Sequence, residues 1–302
     1  MKPSEWLLAA FVAAIWGLNF SFIKLGVAHI DPLLLAALRF ALAAFPLLLW
    51  VARPAIAWRW LIAYGLAFGV GTWGGVSWAL RSGLAPGLAA WLLQSSAFLT
   101  PLLAWLWLGE ALSRRQRQGA LVAGLGFVLV LLSSAGPGST ALGLALMLLA
   151  AASLSLANVI VRRSGARAML ALMVWSSLFA APALLALAVA TQGLAPLQAL
   201  PAQLLSQPIA LLSLAFQVYP STLFGYWVWN TLIARHGAGT VAPVALLVPV
   251  FALAFSALIF GTRPGPGQSL GMALIAVGLV LAATRWRWPG TAGRLAGAPP
   301  QP

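Results

Sequence analysis

Polar side chains inside long apolar runs are the residues best placed to do chemistry in this chain. Burying each in hydrocarbon costs free energy that a partner or a solute must offset. Trp16, Asn19 and Ile23 share one helical face at i, i+3, i+7 spacing. The Asn19 amide could bond a solute's ammonium or carboxylate, or it could hold a neighbouring helix. Asn158 takes the corresponding place later in the chain, since Lys24 and Arg163 align at the same offset. Trp78, Trp91 and Gln94, then Gln217, Tyr219, Tyr226 and Asn230, complete a candidate binding set. Amides would meet the polar ends of a solute, and aromatic rings its apolar body or an ammonium. Packing and lipid-facing roles would use the same tryptophans. Lys24 and Arg39 could each receive a carboxylate or pair with Asp31, and Lys24 could also snorkel to headgroups. Pro101 and Pro249 are candidate hinges within their apolar runs.

The missing residue types narrow the chemistry further. The only acids are Glu5, Asp31 and Glu110, all at the ends of apolar runs. Without a carboxylate at mid-membrane the usual proton relay has no seat, so uncoupled movement or exchange of neutral or zwitterionic solutes is expected. Cysteine is absent, which removes disulfides, thiolate metal sites and redox roles. His29 and His236 fall in or near loops, and no phosphate-binding glycine loop is present. An enzyme is therefore not expected, nor a cofactor or metal.

These residues sit in a chain of 302 residues that is 62% hydrophobic and 7% charged, with mean hydropathy +0.99. A soluble domain carries about 25% charged residues, so the class is an all-α integral membrane protein. Ten spans follow, over 6–26, 33–52, 59–80, 85–108, 117–134, 141–161, 169–190, 208–232, 239–260 and 268–286. The longest connection, 191–207, reads as a plain loop, and the Gly/Pro/Ala-rich tail 289–302 as disordered. The apolar run after Lys2 continues to Ile23 without a small-x-small cleavage site, which predicts an uncleaved first span. The net charge of +14 does not form a continuous basic face, so nucleic acid is not an expected partner. Instead 13 of the 17 cations fall on one side if both termini are cytoplasmic, the topology expected for a bacterial inner membrane. The expected partners are the lipid bilayer and a small-molecule substrate, with the chain a monomer or weak homo-oligomer.

A faint repeat organises the spans. Leu106, Gly109, Gln116, Gly119, Gly126, Val128 and Leu129 recur without a gap 152 positions later, at Leu258, Gly261, Gln268, Gly271, Gly278, Val280 and Leu281. Two halves, 1–135 and 136–288, would each hold five spans, and an odd number forces the second half to enter the membrane inverted. Loop charges agree, since the turn at 109–117 has three Arg and its copy at 261–269 only Arg263. Inverted halves around a central cavity are the architecture of alternating-access transporters.

Trp16-Gly17-Leu18-Asn19-Phe20, Ile23-Lys24, Pro32 and Leu38-Arg39-Phe40 resemble the opening of the EamA family of the drug/metabolite transporter superfamily. Gly87-Leu88-Ala89 leading to Gln94, Gly109-Glu110 with Gln118-Gly119, Ala242-Pro243 and Leu246-Leu247-Val248-Pro249 are similar to that family too. The resemblance spans about residues 6 to 286, with Gly261-Thr262 departing from the family's frequent Gly-Glu. It implies a ten-helix exporter of small metabolites, amino acids among them, with drug, purine or sugar-phosphate carriers as the alternative on the same scaffold.

Overall fold

The computed structural model describes residues 1–45, 47–109, 113–133, 141–236 and 241–283. All regular structure among them is helical. In chain order the α-helices are α1 Pro3–Val27, α2 Pro32–Ala44, α3 Trp58–Tyr64, α4 Gly75–Arg81, α5 Pro86–Leu93, α6 Ser96–Leu108 and α7 Arg114–Ser133. They continue with α8 Ala141–Ser164, α9 Met169–Gln192, α10 Ala195–Ser206, α11 Pro208–Phe216, α12 Gly225–His236, α13 Leu247–Phe260 and α14 Pro266–Ala283. The expected tail at 289–302, the boundary at 135–136 and Glu110 lie outside the described residues.

Among the described residues seven helical stretches are long and apolar enough to cross a bilayer, the longest being Pro208–His236 with 29 residues. At about 1.5 Å per residue, the 25 residues of α1 reach past the ~30 Å hydrocarbon core. Val244–Phe260 and Pro266–Ala282 are shorter apolar helices. Leu7, Leu106, Leu132 and Leu258 stand bare on the outside of the bundle, an apolar surface that suits lipid and not water. The chain is thus an all-helical, multi-pass membrane protein.

One expectation fails outright. The stretch 191–207 is not a plain loop but holds α10. Pro196 occupies the first turn, where a missing N–H has no intrahelical partner to lose. Leu197, Leu200 and Leu204 recur at i, i+3, i+7 and pack on the main core, which offsets the cost of Pro201 within the helix.

Several expected spans are not uniform helices, and their irregularities cluster. Gly65–Gly74 between α3 and α4, and Gln217–Phe224 between α11 and α12, are wound as π-helix. The span at 85–108 leaves the α-helix at Gln94-Ser95, and the run before α13 is a 3₁₀ turn, Ala242–Leu246. Irregular backbone at membrane depth survives only where protein or a cavity surrounds it.

Close approach is set by small residues. A Cβ on Gly17 would stand 2.8 Å from the Ala252 nitrogen, so α1 lies directly on α13. The far ends are tied crosswise: Lys24 Nζ donates to Leu80 O of α4 (2.5 Å), while Arg81 Nη1 donates to Val27 O of α1 (2.5 Å). Each cation thereby meets a carbonyl in the last turn of the partner helix, the end at which the helix dipole favours positive charge. At the opposite end of α1, Glu5 Oε1 lies 3.0 Å from His236 Nε2 at the end of α12.

Candidate substrate cavity

The irregular segments converge on a cavity of about 200 Å³. Its wall takes Trp16, Asn19 and Phe20 from α1, Arg39 from α2, and Phe68 and Trp73 from the first π segment. Gln94 at the break after α5 lines it too, as do Leu154 of α8, Ser221 of the second π segment and Tyr226 of α12. Ala245 and Val248 at the 3₁₀–α junction close one side.

Asn19 is 1% exposed, and neither its Nδ2 nor its Oδ1 has a hydrogen-bond partner. The α1 face carrying Trp16 and Asn19 points both residues at the cavity, as helical spacing requires. Trp16 is anchored by its indole N–H, which donates to Ser221 O at 2.9 Å. Its ring lies 4.9 Å from that of Trp229 and 5.5 Å from that of Tyr226. Trp73 also carries a buried indole N–H without an acceptor.

Arg39 is 2% exposed. Its Nε donates to Thr222 Oγ1 at 3.1 Å, and Thr222 in turn donates to Gln217 O at 2.7 Å across the π turn. The guanidinium carbon stands 4.2 Å from the Trp73 ring centroid, within cation–π range. Asp31 does not reach it, because Asp31 Oδ1 caps α2 by accepting from the Leu33 and Leu34 amides.

Other expected site residues stand elsewhere. Asn158, expected as the counterpart of Asn19, is exposed and donates from Nδ2 to Thr100 Oγ1 at 3.3 Å, bracing α8 against α6. Gln217 is buried behind the wall, donating to Ser213 Oγ, which donates to Phe22 O. Tyr219 is 60% exposed on the outside of the bundle. Trp78 packs half-buried on the main core, and Trp91, next to cavity-lining Ala90, has an unpartnered buried N–H. Asn230 is partly buried off the cavity wall. Lys24 serves the cross-tie described above. Pro101 lies inside α6, whereas Pro249 is the third residue of α13, in the turn whose amides need no intrahelical acceptor.

Phe20 and Phe68 line the cavity without being candidates from the sequence. Phe20 follows Asn19 directly, and no sequence spacing marks Trp73 as the neighbour of Arg39. Among the described residues no group of three or more His, Asp or Glu could hold a metal ion.

A multi-pass helical bundle that encloses a polar and aromatic cavity, with its helices broken at the cavity wall, has the build of a membrane transporter. The chain belongs to the EamA-like transporter family, which it matches over residues 4–132 and again over 141–284. It is 35% identical over 293 residues to a protein of Salmonella typhimurium named "Probable amino-acid metabolite efflux pump", covering 93% of this chain and 95% of that one. An Escherichia coli K12 protein of the same name is 35% identical over 294 residues, covering 95% and 97%. A solved crystal structure 18% identical in sequence superposes with a TM-score of 0.55, covering 93% of this chain and 98% of the other, and shares the fold.

Proposed function

We propose that the protein exports small amino-acid metabolites, apolar and aromatic amino acids foremost, across a bacterial inner membrane by alternating access around this cavity. The observation that carries the proposal is the buried Asn19 amide with both of its polar atoms unpartnered, in a cavity walled by five aromatic side chains. Leaving such atoms unmade costs about 1–3 kcal/mol each, a cost that a bound solute removes. The names of the two bacterial relatives support the same class of cargo. A volume near 200 Å³ lies below the roughly 300–1,000 Å³ of drug-sized pockets, which favours a single metabolite over a drug.

The proposed architecture is ten spans in two inverted halves, 1–135 and 136–288, with both termini in the cytoplasm. Correspondences at the 152-residue offset support it. The π segments begin at Gly65 and Gln217, and the helices before the matched turns end in left-handed Gly109 (φ 70°) and Gly261 (φ 66°). α7 and α14 start at Arg114 and Pro266, the same distance apart. The family match also falls twice, once in each half. With no acid at the cavity wall among the described residues, the carrier works as a uniporter or exchanger.

Counterflow in proteoliposomes against a panel of amino acids, with and without a pH gradient, tests the function. Saturable exchange of apolar and aromatic amino acids is the expected result. Absence of exchange for every amino acid overturns the substrate class, and strict dependence on the proton gradient overturns the uncoupled mechanism.

A further inference from the structure

We infer that Arg39 is the anchor for the cargo's carboxylate, and that the cavity selects solutes by this carboxylate and not by their amine. The inference rests on the transport function proposed above and names the chemical group that the cavity reads. The class of cargo is a small monocarboxylate with an aromatic or branched apolar body, its amine free or acylated.

The charge inventory comes first. Arg39 is the one formally charged side chain on the cavity wall among the described residues. A buried cation without a counter-ion is costly, and proteins normally place an acid against it. Neither described acid is in place to serve: Asp31 caps α2, and Glu5 pairs with His236 at the far end of α1. Thr222 is neutral and satisfies only Nε. The missing anion is thus supplied from solution.

The geometry is set for that anion. Thr222 fixes one edge of the guanidinium, and the Trp73 ring lies against it at 4.2 Å. An Arg held this way keeps its remaining N–H groups for a carboxylate, and two parallel bonds to one carboxylate are the strong form of that contact.

Hydrogen-bonding capacity points the same way. The sealed, unpartnered atoms on the wall are two donors, Asn19 Nδ2 and Trp73 Nε1, and one acceptor, Asn19 Oδ1, while Gln94, Ser221 and Tyr226 add neutral groups that can donate or accept. An ammonium needs several acceptors and gains most from a carboxylate, which the wall lacks. An acyl amide suits the wall at least as well, because its carbonyl accepts from a donor while its N–H meets Asn19 Oδ1. The rings of Phe20, Phe68, Trp16 and Tyr226 are left for the apolar body.

The test is competition in wild-type proteoliposomes, with counterflow of labelled phenylalanine challenged by phenylalanine, N-acetylphenylalanine and phenethylamine. The expected half-inhibiting concentration of the N-acetyl compound lies within about 3-fold of phenylalanine's, and that of the amine is higher by about 100-fold or more. R39Q is expected to raise the half-saturating phenylalanine concentration by about 30-fold or more, and R39K to restore part of the loss. Inhibition by phenethylamine as strong as by phenylalanine overturns the inference while leaving the transport function standing. So does a folded R39Q protein with unchanged affinity. If the wild-type protein exchanges none of these solutes or any other amino acid, the transport function falls and the inference with it. The wild-type competition decides the question even if R39Q fails to fold.

Discussion

Gly126 of α7 and Gly271 of α14 face each other so closely that a Cβ on Gly126 would stand 2.6 Å from Gly271 O. Gly119 and Gly278 repeat the arrangement one heptad away, again at 2.6 Å, so the two helices lie antiparallel along a seam of backbone. In a membrane, where apolar side chains gain little by leaving lipid, such close backbone contact is a main source of helix association. Gly126→Leu is expected to destabilise the protein by about 1–3 kcal/mol through overpacking. Gly124, on the same helix but with open space around it, serves as the control, and Gly124→Ala should be neutral or slightly stabilising. Thermal unfolding in detergent reads both.

Asn19→Leu separates a binding amide from a structural one. A structural amide that bonded a neighbouring helix would take stability with it when removed. Because neither polar atom of Asn19 has a partner, the substitution is expected to leave the unfolding temperature unchanged or raise it, while transport falls about 10-fold or more. Loss of stability together with loss of transport would show that the amide serves the fold.

The two prolines sit differently in their helices. Pro101 deprives α6 of an interior hydrogen bond, whereas Pro249 stands in the first turn of α13. Pro101→Ala is expected to slow exchange several-fold with affinity unchanged, and Pro249→Ala to change the rate little. Single-turnover efflux measurements give the two rates; equal rates for Pro101→Ala and wild type would remove the hinge.

The cross-tie between α1 and α4 is expected to be structural. Lys24→Met should lower stability by about 0.3–1 kcal/mol, the usual worth of a cation at a helix C-terminus. Half-saturating concentrations in counterflow should not move, because Lys24 is not on the cavity wall.

What sequence could and could not reveal follows from where each kind of information resides. Membrane residence was legible because it depends on composition alone. The placement of Trp16 and Asn19 at one cavity was legible too, because three residues along a helix always fixes a common face. Asn158 shows the limit of reasoning by correspondence: the same residue type at a matched offset found Thr100 as a partner and stayed exposed. Arg39 and Trp73 are 34 positions apart, and only the packing of α2 against the first π segment makes them neighbours. α10 is hard to see in sequence because proline and glutamine break up its apolar pattern, while its leucines, which carry the packing, are too few to form a span.

The glycine seam also bears on how the protein is made. Gly126 waits for Gly271, which is synthesised 145 residues later. At about 5–20 residues per second, the ribosome takes roughly 7–30 s to deliver the partner. Throughout that interval the α7 face with Gly119 and Gly126 lacks α14 as its neighbour. The glycine seam is therefore completed only by α14, the last described helix, and a chain cut short before Pro266 would leave Gly119 and Gly126 of α7 without the backbone they pack against.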